Sequence, residues 1–162
     1  MKVSIPFLLT LLLMACGEPE RIEDLSKNIR NVETVEGNIV VNMTTVGFDG
    51  GEHDMTSISH TFLSIAKWQM TTGGGVEKSI GLRVSVPTLD AYGNKGMEKA
   101  FFISVTSEHL RRINWDNFLS WDLMNLAQFD SYNRFGRQLA TTWCADDSNR
   151  KYSARFCNRV TS

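Results

Sequence analysis

The sequence predicts an α+β fold: a small antiparallel or mixed sheet, helices packed on one face, and one disulfide near the C-terminus. Three observations carry this. Ile80, Leu82, Val84 and Val86 alternate with Gly81, Arg83, Ser85 and Pro87, the period of a strand with one buried face. Met55, Ile58, Phe62 and Ile65 recur at helical spacing, with Leu63, Ala66 and Met70 beside them. Cys144 and Cys157 form a pair close to the C-terminus. A chain of 162 residues suits one compact domain, which at about 150 residues buries roughly 68–70 % of its unfolded surface.

In chain order, residues 17–36 carry six acids and three bases. Ile22, Leu25, Ile29 and Val32 mark a weak amphipathic helix that Gly37 ends. This segment reads as an acidic tether over 16–36, leaving 37–162 as a single α+β domain. Residues 38–48 are β-branched and read as a strand. Asp49 to Asp54 form a loop, and the helix over 55–70 follows, capped by Asp54 or Thr56. Gly73, Gly74 and Gly75 stop it and make a flexible connector. The strand at 79–87 and a second at 99–106, with Phe101, Ile103 and Val105 on one side, flank the turn-rich hairpin loop 88–97. A helical stretch from near Ser107 or Asn114 to Phe129 and a last helix over 131–143, striped by Phe135, Leu139 and Trp143, complete the order α-β-α-β-β-α-α.

Composition narrows the function. With 17 Lys and Arg against 18 Asp and Glu, the net charge is −1, unlike the strongly basic domains that hold nucleic acid through phosphates. The apolar share of 42 % excludes a disordered chain, and 12 Gly and 3 Pro exclude a collagen-like one.

The first residues carry an address. Met1-Lys2 precede an apolar run from Val3 to Met14, a secretory signal too short to span a bilayer, which needs roughly 20 apolar residues. Its end, Leu13-Met14-Ala15-Cys16, resembles the lipobox of bacterial lipoproteins, with Leu at −3, a small residue at −1 and Cys at +1. Met14 departs from the usual small or β-branched −2 residue. The resemblance covers about sixteen residues and implies a signal peptide over 1–15, with Cys16 acylated on its sulfur and amine. Each buried CH₂ contributes about 0.8 kcal/mol, so several chains on Cys16 anchor the protein to a membrane essentially permanently. Gly17, where Asp would retain a lipoprotein at the inner membrane, implies the outer membrane of a Gram-negative cell.

With Cys16 committed to lipid, Cys144 and Cys157 are an even pair in an exported chain and read as a disulfide. A metal site is the rival reading; Asp146 and Asp147 lie close in sequence, His109 is distant, and there is no CxxC.

Few other residues suggest chemistry. Asp49, Glu52, His53 and Asp54 offer oxygen donors and one imidazole to a cation, although the D-x-D-x-D-G pattern is missing; a solvated loop capping the next helix explains them equally. His60 reads as a surface histidine. No G-x-S-x-G, H-E-x-x-H, GxGxxG or P-loop spacing occurs, so no catalytic residue and no cofactor is indicated. Arg134, Arg137, Arg150, Lys151 and Arg155, with Arg159 and interleaved aromatics, suggest a basic-aromatic interface or solvated charges over a core. Trp115 and Trp121 cannot both face a narrow core stripe, which makes an exposed tryptophan anchor a candidate.

These readings predict a non-enzymatic, membrane-anchored lipoprotein that serves as an accessory or assembly component of a cell-envelope complex. Its partners are the membrane, through acylated Cys16, and a protein, with no nucleic acid. The β-α-β-β-α order of residues 38–129 looks like ring-building modules of secretins and type IV secretion lipoproteins, which implies secretion or conjugation machinery. The alternatives are a periplasmic enzyme or metal-binding protein built on the His53 loop with His109, and an exclusion or inhibitor lipoprotein.

Overall fold

A computed structural model describes residues 19–45 and 52–162, with Glu52 and His53 described by their backbone alone. The signal segment, Cys16 and Asp49 lie outside the described residues. The chain forms a five-stranded mixed sheet in the order β1-β2-β3-β4-β5: β1 is Ile29–Val35, β2 Asn38–Thr44, β3 Ser79–Leu89, β4 Lys95–Thr106 and β5 Gln128–Ser131. Neighbours are antiparallel except β2 and β3, which run parallel. Parallel strands need a crossover, supplied by α1, Glu52–Thr71. The remaining helices are α2 (Ser107–Leu110), α3 (Ser120–Leu126), α4 (Arg134–Trp143), α5 (Asp147–Tyr152) and α6 (Ala154–Thr161). The α+β class, the mixed sheet and the C-terminal disulfide all stand as the sequence predicts.

The helices pack against one face of the sheet. Its inner side chains, among them Val41, Met43, Ile80, Leu82, Val84, Phe101, Ile103 and Val105, join Met55, Ile58, Phe62 and Ile65 of α1 in a continuous core. Phe156 lies edge-on to both Trp143 and Phe129, at 5.7 and 5.6 Å between ring centres. The buried Trp143 donates its indole N–H to Thr56 Oγ1 at 3.0 Å, tying α4 to the first turns of α1. Cys144 and Cys157 are bonded, and both are buried.

Four local expectations change. The stripe read as a helix over 22–32 is instead a 3-10 turn at Ile22–Leu25 followed by edge strand β1. Ile29 and Val32 point inward opposite Met43 and Val41, and sheet pairing outweighs a weak helical period. Gly37 is no helix stop. Glu36 and Gly37, at φ of 51° and 81°, are the two central residues of the β1–β2 hairpin, a turn that needs positive φ at both. Within the segment read as a tether, Ile29–Val35 is therefore a strand of the sheet.

The predicted helix from 107 to 129 is two short helices, an irregular stretch and strand β5. Asn114 Oδ1 accepts the Asp116 N–H at 3.2 Å, a side-chain turn that interrupts the helix. Asp122 accepts the Leu119 N–H and restarts it at α3. β5 has four residues, of which only Phe129 packs on the core, too short a run to announce itself by alternation. Between the cysteines the chain forms α5 and the start of α6; Asp146 caps α5 by accepting the Asn149 N–H at 2.9 Å.

The stripe on α4 is rotated from the predicted one. Phe135 is exposed, whereas Gly136, Leu139, Ala140 and Trp143 are buried. Gly136 lies so close to β4 that a Cβ there would run into the Ala100 carbonyl. This close approach sets which face of α4 turns inward.

A candidate functional site on the uncovered face of the sheet

Among the described residues, no helix packs on the other face of the sheet. Register and alternation place Glu33, Asn42, Arg83 and Phe102 on it. Glu33 Oε1 accepts from Asn31 at 3.0 Å and from Asn42 at 2.9 Å, while Arg83 donates to Asn42 Oδ1 at 3.0 Å. The Arg83–Glu33 charges are 3.9 Å apart, a part-exposed pair that contributes little to stability. Beside this network, Phe102 covers Gly81, where a Cβ would strike its ring.

Past the last pairing of β2 at Ser85 and of β5 at Phe101, β3 and β4 continue with no further strand beside them among the described residues. Residues 86–98 thus make a two-stranded ribbon. On the uncovered side Pro87 sits opposite Met97, Leu89 opposite Lys95, and Ser85 opposite Lys99. Leu89 is 56 % exposed and Met97 52 %. The tip is held by one carboxylate. Asp90 accepts from the Tyr92 and Asn94 N–H groups, both at 2.8 Å, and from the Asn94 side chain at 2.7 Å. These bonds, the Asn94 side chain first, hold the Asp90 carboxyl below the usual carboxylate range. Gly93, at φ 82°, completes the turn. Tyr92 is displayed at its apex, 91 % exposed.

The ribbon and the start of the fold lie at opposite ends of the domain. Trp68, near the C-terminal end of α1, donates its indole N–H to the Pro19 carbonyl at 2.9 Å. At that end Gln69 donates to the carbonyls of Gly73 and Gly75 at 2.8 and 2.7 Å, so the glycine connector is pinned where flexibility was expected. β3 starts there and runs away from it; from Ser79 to Leu89 the rise is about 33 Å at roughly 3.3 Å per residue.

The residues singled out in the sequence fall in three places. Glu52 and His53 open α1, and Asp54, half-buried, lies in its first turn; the loop expected over 49–54 is helical from Glu52. His109 lies beyond the opposite end of that helix. Ser107 N–H donates to the Lys78 carbonyl, which places α2 beside the start of β3, and the 20 residues of α1 span about 30 Å. His53 and His109 are therefore not brought together. His109 is exposed and pairs with Thr106 Oγ1 at 3.0 Å, and His60 is exposed. Among the described residues no three His, Cys, Asp or Glu side chains are grouped as metal ligands.

Trp115 and Trp121 are both half-buried. Trp115 meets Phe118 edge-on at 6.0 Å, and Lys67 Nζ donates to its carbonyl. Trp121 stacks on Tyr152 at 5.2 Å and donates to Asn149 Oδ1 at 3.3 Å. Arg134, Arg137, Arg150, Lys151 and Arg155 are exposed. Arg134 and Lys151 lie over the rings of Phe135 and Tyr152, and Arg150 donates to the Cys144 carbonyl. Arg155 lines an open cleft of about 450 Å³ with Phe118, Asp122, Asn125 and Leu126. Arg159 donates to the carbonyls of Met124, Asn125 and Ala127 at the end of α3, where a cation complements the helix dipole. Burial, then neighbouring Arg155, lowers its pKa.

Sequence reasoning missed the ribbon, because 88–97 read as loop. Its signal was present: Thr88 and Leu89 extend the preceding alternation, and Asp90, Gly93 and Asn94 are turn residues. No protein-family model, no curated protein and no solved structure matches the chain.

Proposed function

We propose that the chain is a non-enzymatic lipoprotein, anchored in the outer membrane through acylated Cys16, that serves as an accessory or assembly component of a cell-envelope complex. One observation carries the reading: the run Leu13-Met14-Ala15-Cys16 after an apolar signal segment. The geometry supports it in two ways. Pro19 is already tied to Trp68, so a chain anchored at Cys16 enters the fold within three residues, and the domain sits directly on the bilayer. Stable anchoring by two or more acyl chains then presents one fixed end of the domain to the membrane and the ribbon to the far side. Secretion or conjugation machinery is the first complex to examine, on element order alone.

The test is native extraction in mild detergent, with crosslinking and mass spectrometry of what co-migrates. The reading expects a large assembly that is lost on Cys16→Ser. A monomer with unchanged behaviour in Cys16→Ser contradicts it. The backbone positions of His53, at the start of α1, and of His109, beside the start of β3, lie far apart, which gives the enzyme alternative through that pair no support.

A further inference from the structure

We infer that the uncovered side of the β3–β4 ribbon is the docking surface of this protein, and that its occupant is a protein surface with acidic residues around an apolar pocket. This rests on the lipid-anchor reading above. The first argument is charge. The apolar pair Pro87–Met97 and Leu89 are bracketed on the same side by Lys95 and Lys99. The two acids of the ribbon are engaged elsewhere: Asp90 binds the tip turn, and Glu98, on the opposite side, accepts from Asn133 at 3.4 Å. The surface offered is therefore apolar with basic flanks, and acidic groups around an apolar hollow complement it.

The second argument is position. Pro19, three residues after Cys16 in the sequence, is bonded to Trp68 at the end of the domain remote from the ribbon. A strand rise of about 33 Å between Ser79 and Leu89 puts Tyr92, Leu89 and Met97 out of reach of the bilayer that holds Cys16. The occupant is a protein in the envelope space and not that membrane. The third is preorganisation. The Asp90 carboxylate, the Gly93 turn and eleven-residue β3 hold the tip before any partner arrives, so little ordering cost attends binding.

The experiment places a photoreactive amino acid at Leu89, Tyr92 or Met97 in the full lipidated chain in cells, with exposed His60 on the helical side as control. In parallel, palmitate labelling reads acylation. The expected result is one protein adduct from the ribbon positions and none from His60, mapping to an acidic peptide of the partner. Its yield falls about tenfold in Lys95→Glu/Lys99→Glu, as for loss of close charge pairs, and is kept in Lys95→Arg/Lys99→Arg. Circular dichroism shows all variants folded. An acylated chain with no ribbon adduct, an adduct indifferent to charge reversal, or an adduct with a second copy overturns the inference. So does binding of the Cys16→Ser chain to phosphatidylglycerol vesicles that charge reversal abolishes. Absence of acylation overturns the anchor reading, and the ribbon adducts are then judged by the same charge-reversal criterion.

Discussion

The two faces of β3 and β4 are built from the same strands and serve opposite ends. Toward the helices, Ile80, Leu82, Val84, Phe101, Ile103 and Val105 are buried in one core with α1, α4 and α6. Away from them, the described residues form a network of Glu33, Asn42 and Arg83, with Val40 buried opposite Glu33 and Phe102 over Gly81, and past Ser85 the face exposes Leu89 and Met97. The large buried core lies on one side, and the other displays Leu89 and Met97 more than half exposed. Apolar side chains displayed on a rigid ribbon mark an interaction surface more plainly than scattered ones do.

That contrast can be broken most forcefully at Trp143. Trp143→Ala removes a fully buried ring that packs on Phe156 and leaves Thr56 without its donor; the expected loss is about 3–5 kcal/mol, read by urea unfolding. Next comes the staple. Cys144→Ala/Cys157→Ala should cost about 3 kcal/mol in the chain-entropy model, with the same result on reduction of the native chain. Gly136→Ala forces α4 off the Ala100 carbonyl and should cost roughly 1–3 kcal/mol, the usual range for overpacking. Leu89→Ser and Met97→Ser should leave the melting temperature unchanged within error while weakening partner adducts. A large fall in melting temperature for either would erase the distinction between the two faces.

The smallest effect concerns pH. The Asp90 carboxyl titrates below its ordinary value of 3.8, so the tip bonds gain their full strength above that value and are lost as pH falls through the lowered one. The amide resonances of Tyr92 and Asn94 should therefore move only at acid pH, below the range in which an unperturbed carboxylate titrates. In Asp90→Asn that transition should vanish while the global fold is kept.

How much of this was legible depended on the length of each pattern. α1 and β3 show several repeats of their period, and the sequence places them within a few residues. The strand at Ile29–Val35 was hidden because Ile22, Leu25, Ile29 and Val32 also fit a helix, and only pairing with β2 decides between them. Phe135, Leu139 and Trp143 suggested the inward stripe of α4, whereas the close approach of Gly136 to Ala100 turns that stripe by one residue. The ribbon was missed for a different reason: Thr88 and Leu89 extend the alternation of β3 by only two residues, and Asp90, Gly93 and Asn94 make the whole stretch read as a turn. That His53 and His109 stand toward opposite ends of α1 could not be read without the fold.

The account depends most on Cys16. Intact mass analysis of the mature protein extracted from membranes, with Cys16→Ser beside it, tests that directly. The account predicts a chain beginning at Cys16 that carries acyl mass, and a Cys16→Ser chain that keeps the fold but is neither acylated nor retained with membranes. A wild-type chain with an unmodified Cys16, or one cleaved elsewhere, contradicts it.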